Sequence, residues 1–115
     1  MDNIIEIKDY TGEGYKPQVD FGAWRVAIAN FKPDWAPGAQ TYIERHMETD
    51  EVFVLLAGEV TLLIGKELQE YKMEPGKIFN VKAGTWHQLQ MSEDGKVLIV
   101  ENRDTSRANS EYMDI

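Results

Sequence analysis

Apolar and polar residues trade places along this chain over short distances, in runs of five to seven residues rather than in long helical stripes. Trp24, Val26 and Ile28 alternate with smaller residues within 22–31. A mixed run with Tyr42 and Ile43 covers 41–47, and 51–57 is strongly apolar and β-prone. Further runs cover 59–64, 68–73, 77–81, 85–91 and 96–101. Val, Ile, Phe, Tyr, Trp and Thr dominate them, which favours strands over helices. Pro37-Gly38, Ala57-Gly58, Gly65-Lys66, Pro75-Gly76, Ala83-Gly84 and Asp94-Gly95 fall between runs as turn punctuation. About eight short, evenly spaced strands without a long amphipathic helix predict an all-β sandwich or barrel. Ile4, Ile5 and Ile7 offer a short first strand, and the polar segment 104–115 is expected to be loose or packed on a partner.

Length narrows this to one domain over 1–115, since 115 residues leave little room for a second. A hydrophobic fraction of 43% with 28% charged residues suits a globular fold with a real core. The chain has no cysteine, which removes disulfides, thiolate metal sites and cysteine nucleophiles from consideration. A net charge of -8 with twelve scattered basic residues speaks against nucleic acid and anionic membranes as partners. Met1-Asp2-Asn3 is acidic, no signal-like apolar stretch follows, and the longest apolar run, 52–57, is too short to cross a bilayer. The expectation is a cytosolic, cytoplasmic protein. Open sheet edges need covering. A homodimer formed by edge pairing or exchange of the N-terminal strand is the expected way.

The chain's two histidines carry its chemistry. His46 sits in the stretch from Gly38 to Gly58, with Glu44 two residues before it and Glu51 five after. His87 follows Gly76 and Ala83-Gly84. Side chains alternate along a strand, so Tyr42, Glu44 and His46 share one face. The polar 48–50 stretch reads as a turn, after which Glu51 restarts a strand facing the same interior. His87, from a later strand, adds a second imidazole. Trp86 should point the opposite way and pack. Tyr42, Phe53, Met91 and Trp24 are candidate pocket walls, though for each alone plain core is the simpler reading.

These two stretches resemble the two motifs of the cupin superfamily. The first motif runs from a glycine through five residues to His-x-His, then three or four residues to a Glu and six more to a glycine. The second runs from a glycine through five residues to Pro-x-Gly, then two residues to a His, with an Asn following three more. Gly38, His46, Glu51 and Gly58 fall on the first, and Gly76, Gly84 and His87 on the second, so the motif-bearing core covers about 38–91. The resemblance implies a double-stranded β-helix, a jelly-roll-like barrel. Three positions depart from the pattern: Glu44 stands for the first His, Lys82 for the Pro and Met91 for the Asn. The implied metal ligands become Glu44, His46, Glu51 and His87. Another register, pairing His46 with Glu48, loses the spacing to Gly38.

A mixed imidazole and carboxylate site suits Mn²⁺, Fe²⁺, Ni²⁺ or Zn²⁺. Glu44 is the candidate general base if one carboxylate leaves the metal. The resemblance leaves three functions open. One is a metal-dependent enzyme of isomerase, epimerase or dioxygenase type acting on a small polar metabolite. Another is a non-catalytic sugar or metabolite binding module, and the last is a metal-free vestigial cupin.

Overall fold

The alternating runs become strands in the computed structural model, which describes residues 4–115. Met1, Asp2 and Asn3, on which the cytosolic expectation leans, lie outside the described residues. Ten strands are described. They are β1 (Gly14–Phe21), β2 (Trp24–Asn30), β3 (Tyr42–His46), β4 (Glu51–Ala57), β5 (Val60–Ile64), β6 (Gln69–Lys72), β7 (Phe79–Val81), β8 (His87–Met91), β9 (Lys96–Asn102) and β10 (Ser110–Asp114). They pair antiparallel into two five-stranded sheets, ordered β1-β2-β9-β4-β7 and β10-β3-β8-β5-β6. The result is all-β, as the pattern predicts, and a jelly roll, as the resemblance implies. Among the described residues no helix is long and apolar enough to cross a membrane.

Alternation sets what lies between the sheets. Ala27 and Ala29 on β2, Phe53 and Leu55 on β4, and Val97 and Ile99 on β9 are buried against Leu62, Leu89 and Met91 from the other sheet. Gly58 makes the sharp turn from β4 to β5 at φ +69°, and a Cβ there would come within 2.7 Å of the Asp94 backbone. Only glycine combines that conformation with that approach.

The structure corrects the expectations at both ends. Ile4, Ile5 and Ile7 form no strand, and their side chains are exposed. The first strand is instead β1, a polar edge strand carrying Pro17, with a bulge before Val19. A sheet edge tolerates both the polar face and the missing amide donor, so apolar alternation does not reveal it. The run 22–31 is shortened because Gly22 turns between β1 and β2 at φ +59°. The segment 104–115 is not loose: β10 pairs along β3 from Ser110 opposite His46 to Asp114 opposite Tyr42. Trp24, read as core, is half-exposed beside Phe21.

Candidate metal centre

At one end of the sandwich the inward positions change from apolar to polar without changing phase. On β4 the inward series runs Leu55, Phe53, Glu51, and on β9 it runs Val97, Ile99, Glu101. On β8 it runs Met91, Leu89, His87, and on β2 Ala29, Ala27, Arg25. Strand β3 adds Glu44 and His46, with Glu44 opposite His87 in register. All four expected ligands, Glu44, His46, Glu51 and His87, line one cavity of about 380 Å³. Tyr42 and Phe53 also line it, whereas Met91 is buried in the core. Trp86 faces away, with the Arg45 guanidinium stacked 4.5 Å from its ring centre. Glu48 is exposed in the turn after β3.

Glu51 is the hub. Its Oε1 lies 2.9 Å from His87 Nε2 and 3.2 Å from His46 Nε2. Those are hydrogen-bond lengths, yet Oε1 is buried without a hydrogen-bond partner. The other ring nitrogens explain why. His87 Nδ1 lies 2.9 Å from the Thr85 carbonyl, which can only accept, so Nδ1 carries the proton. His46 Nδ1 lies 2.8 Å from Ser110 Oγ, whose own hydroxyl donates to the Ser106 carbonyl at 2.7 Å. Ser110 must therefore accept from His46. Both neutral imidazoles thus turn an Nε2 lone pair toward the carboxylate oxygen. Lone pairs facing a buried anion repel, and a shared cation converts that repulsion into attraction.

Two overlapping groups bring ligand atoms within 4.8 Å of one another: Glu44, His46 and His87, and His46, Glu51 and Glu101. Two imidazoles with carboxylates fit a divalent ion of the Mn, Fe, Ni or Zn kind. Without an ion, charge is redistributed. Burial pushes the Glu44 carboxyl up, and the two imidazoles only partly offset it. Burial would also raise Glu51, but contact with His46 and His87 outweighs it and holds Glu51 below the usual carboxylate range. Burial lowers both histidines, while pairing with Glu51 and its charge outweighs burial and raises them.

Glu101 was not foreseen. Its Oε2 accepts from Tyr15 Oη and from Arg25 Nη2 (3.0 Å) and Nε (3.3 Å). Arg25 also donates to the Thr105 and Arg103 carbonyls at 3.1 and 3.0 Å, which fastens the loop after β9. Burial and the Glu51 charge raise the Glu101 carboxyl, with Tyr15 and Arg25 pulling it back. The available signal was phase: Glu101 continues the inward series of Val97 and Ile99.

Backbone contacts lock the two motif stretches together. The Gly84 amide donates to the His46 carbonyl at 2.8 Å. Asp50 accepts from the Ala83 amide at 2.8 Å and from Asn80 Nδ2 at 3.0 Å. Ser106 caps a short 3-10 helix, Arg107–Asn109, which leads directly into Ser110.

Two antiparallel sheets closing on an end cavity lined by histidines and glutamates define a jelly roll with a polar end cavity. The sequence agrees: residues 34–101 match the cupin domain, and the chain belongs to the cupin family. No curated protein sequence matches it significantly. Among solved structures it is similar to a cupin-2 domain protein from Shewanella frigidimarina (18% identity, 81% of this chain and 85% of that one, TM-score 0.63). It is also similar to Pac13 from Streptomyces, a nucleoside dehydratase (8% identity, 92% and 83%, TM-score 0.66). KdgF from Halomonas sp. is a further match (17% identity, 78% and 79%, TM-score 0.60). At these identities the likeness is one of fold.

Proposed function

We propose that this chain is a metal-dependent cupin that takes a small polar metabolite into its end cavity, with the ion held by His46, His87, Glu51 and Glu44. The observation that carries the reading is the buried, unpartnered Oε1 of Glu51 facing two imidazole nitrogens whose other ring positions are already committed. An ion bound there would act as a Lewis acid toward a ligand carbonyl or hydroxyl. Glu51 and the imidazoles, held by main chain and Ser110, form the rigid part of the set. Glu44, half-buried with no fixed hydrogen bond, is the carboxylate able to leave and accept a proton from a bound ligand. Buried Phe53, Leu89 and Ile99 keep the inner cavity wall apolar. Pac13 is an enzyme, which supports catalysis as a use of this architecture. We read the whole chain as one domain working as a homodimer in which a second copy covers Ile4, Ile5 and Ile7, 76%, 68% and 89% exposed here.

Elemental analysis of untagged protein, beside a His46→Ala/His87→Ala variant, tests the reading. The expected result is near-stoichiometric divalent metal in the parent and none in the variant. Parent protein that stays metal-free after incubation with Mn²⁺, Fe²⁺, Ni²⁺ and Zn²⁺ overturns it, leaving the metal-free binding module.

A further inference from the structure

The cavity is charged against the trend of the chain. The protein carries a net charge of -8 with only twelve Lys and Arg residues, yet three of those twelve, Arg25, Lys32 and Arg107, line this one cavity. Three carboxylates line it too. Glu101 is matched by Arg25. In the proposed site a divalent ion matches the other two, so Arg107 remains unmatched and Lys32 is met only by the exposed Asp34 outside the cavity lining, a surplus of about one to two positive charges at this end of the cavity.

Both surplus cations are held on aromatic rings. Lys32 Nζ lies 4.5 Å from the centre of the buried Trp35 ring, and its nearest carboxylate, Asp34, is 3.9 Å away. The Arg107 guanidinium lies 4.8 Å from the centre of the Tyr112 ring, which itself meets Tyr42 at 6.0 Å. Among the described residues Arg107 makes no ion pair. Contact with a ring holds each side chain in place and leaves donors for a ligand, so ordering on binding costs less. The inner cavity supplies the metal end, and Tyr42 and Tyr112 supply an aromatic wall.

We propose that Lys32 and Arg107 form an anion clamp, and that the ligand is a small hydroxy- or keto-carboxylate. Its carboxylate meets the two cations and its hydroxyl or carbonyl turns inward. The inference rests on the proposed metal site for its charge balance, and its test separates the two. Two matched pairs serve as probes: mandelate with 1-phenylethane-1,2-diol, and gluconate with sorbitol. Each is titrated into Zn²⁺-loaded protein, followed by the Trp35 indole N–H signal in proton–nitrogen spectra. The zinc content of every sample is measured.

The expected result is that at least one acid binds about tenfold or more tightly than its neutral partner. Lys32→Met/Arg107→Met should abolish that preference while keeping its zinc and its melting temperature, and Lys32→Arg should retain it. If the double variant folds poorly, the exposed Arg107→Met alone serves and should weaken the preference severalfold. Equal binding of acid and neutral partner, no binding of either acid, or a preference that survives in the variants overturns the clamp. A protein without zinc that still prefers the acids through Lys32 and Arg107 overturns the metal reading alone. Zinc-loaded protein without the preference overturns the clamp alone.

Discussion

Ser110→Ala isolates the support of one histidine. Ser110 Oγ accepts from His46 Nδ1 at 2.8 Å and donates to the Ser106 carbonyl at 2.7 Å, so it fixes which nitrogen of His46 faces the cavity. His87 has a main-chain acceptor that no substitution removes. Losing one such bond costs about 0.5–1.5 kcal/mol net. Outer partners of metal-bound histidines typically matter by 10- to 100-fold in metal affinity. The expected effect is therefore about tenfold weaker binding, or ~1.4 kcal/mol. Competition for Zn²⁺ against a chelating dye measures it, and nitrogen-15 shifts of His46 report the tautomer. Ser110→Thr, which keeps the hydroxyl, should stay close to the parent. Unchanged affinity in Ser110→Ala, even with a lowered melting temperature, would refute the argument that this hydroxyl orients the ligand.

Two further predictions concern stability. In metal-free protein both histidines are raised above 6.5 and Glu51 is lowered below 4.5. The histidine contribution is complete below 6.5 and lost as pH rises through the folded values; the Glu51 contribution is present above 4.5 and lost as pH falls through its folded value. Thermal unfolding in chelator should thus show greatest stability between these limits, and the metal-loaded protein should gain stability with rising pH as its ligands shed protons. A metal-free melting temperature that climbs from pH 6.5 to 8 would contradict this. Arg25→Met leaves Glu101, whose side chain is 3% exposed, with only Tyr15 Oη as a donor beside the Glu51 charge, and should cost about 3 kcal/mol in urea unfolding. Arg25→Met/Glu101→Leu should recover much of the loss, and a strictly additive double variant would count against the pairing.

The middle of each sheet was legible from the sequence, because β4 and β9 carry compact β-prone apolar runs and β8 alternates polar with apolar residues. Of the four edge strands, β6 and β7 fell on expected runs, whereas β1 and β10 did not. β1 and β10 have little to bury, so Gly14–Phe21 drew no strand expectation and Ser110–Asp114 was expected to be loose or packed on a partner. The same blindness hid part of the site. His46 and His87 stood out as the chain's only histidines at spaced positions, and Glu44 and Glu51 by spacing to them. Ser110 and Arg107 belong to a segment without periodicity. Arg25 and Glu101 sat in plain alternation with apolar neighbours. A charged residue at an inward position is the sign to look for, since such a group is retained only with a partner.

The handover from apolar to polar along β2, β4, β8 and β9 divides the protein's labour. Substitutions at the apolar end are selected by folding, those at the polar end by chemistry, and few positions answer to both. Cavity residues such as Lys32, Tyr112 and Arg107 sit on a loop, an edge strand and a short 3-10 helix, outside the buried cluster. They can drift without endangering the scaffold. One sandwich can therefore be re-tailored to new ligands by a few changes at its rim, which is a source of evolvability built into its strand pattern.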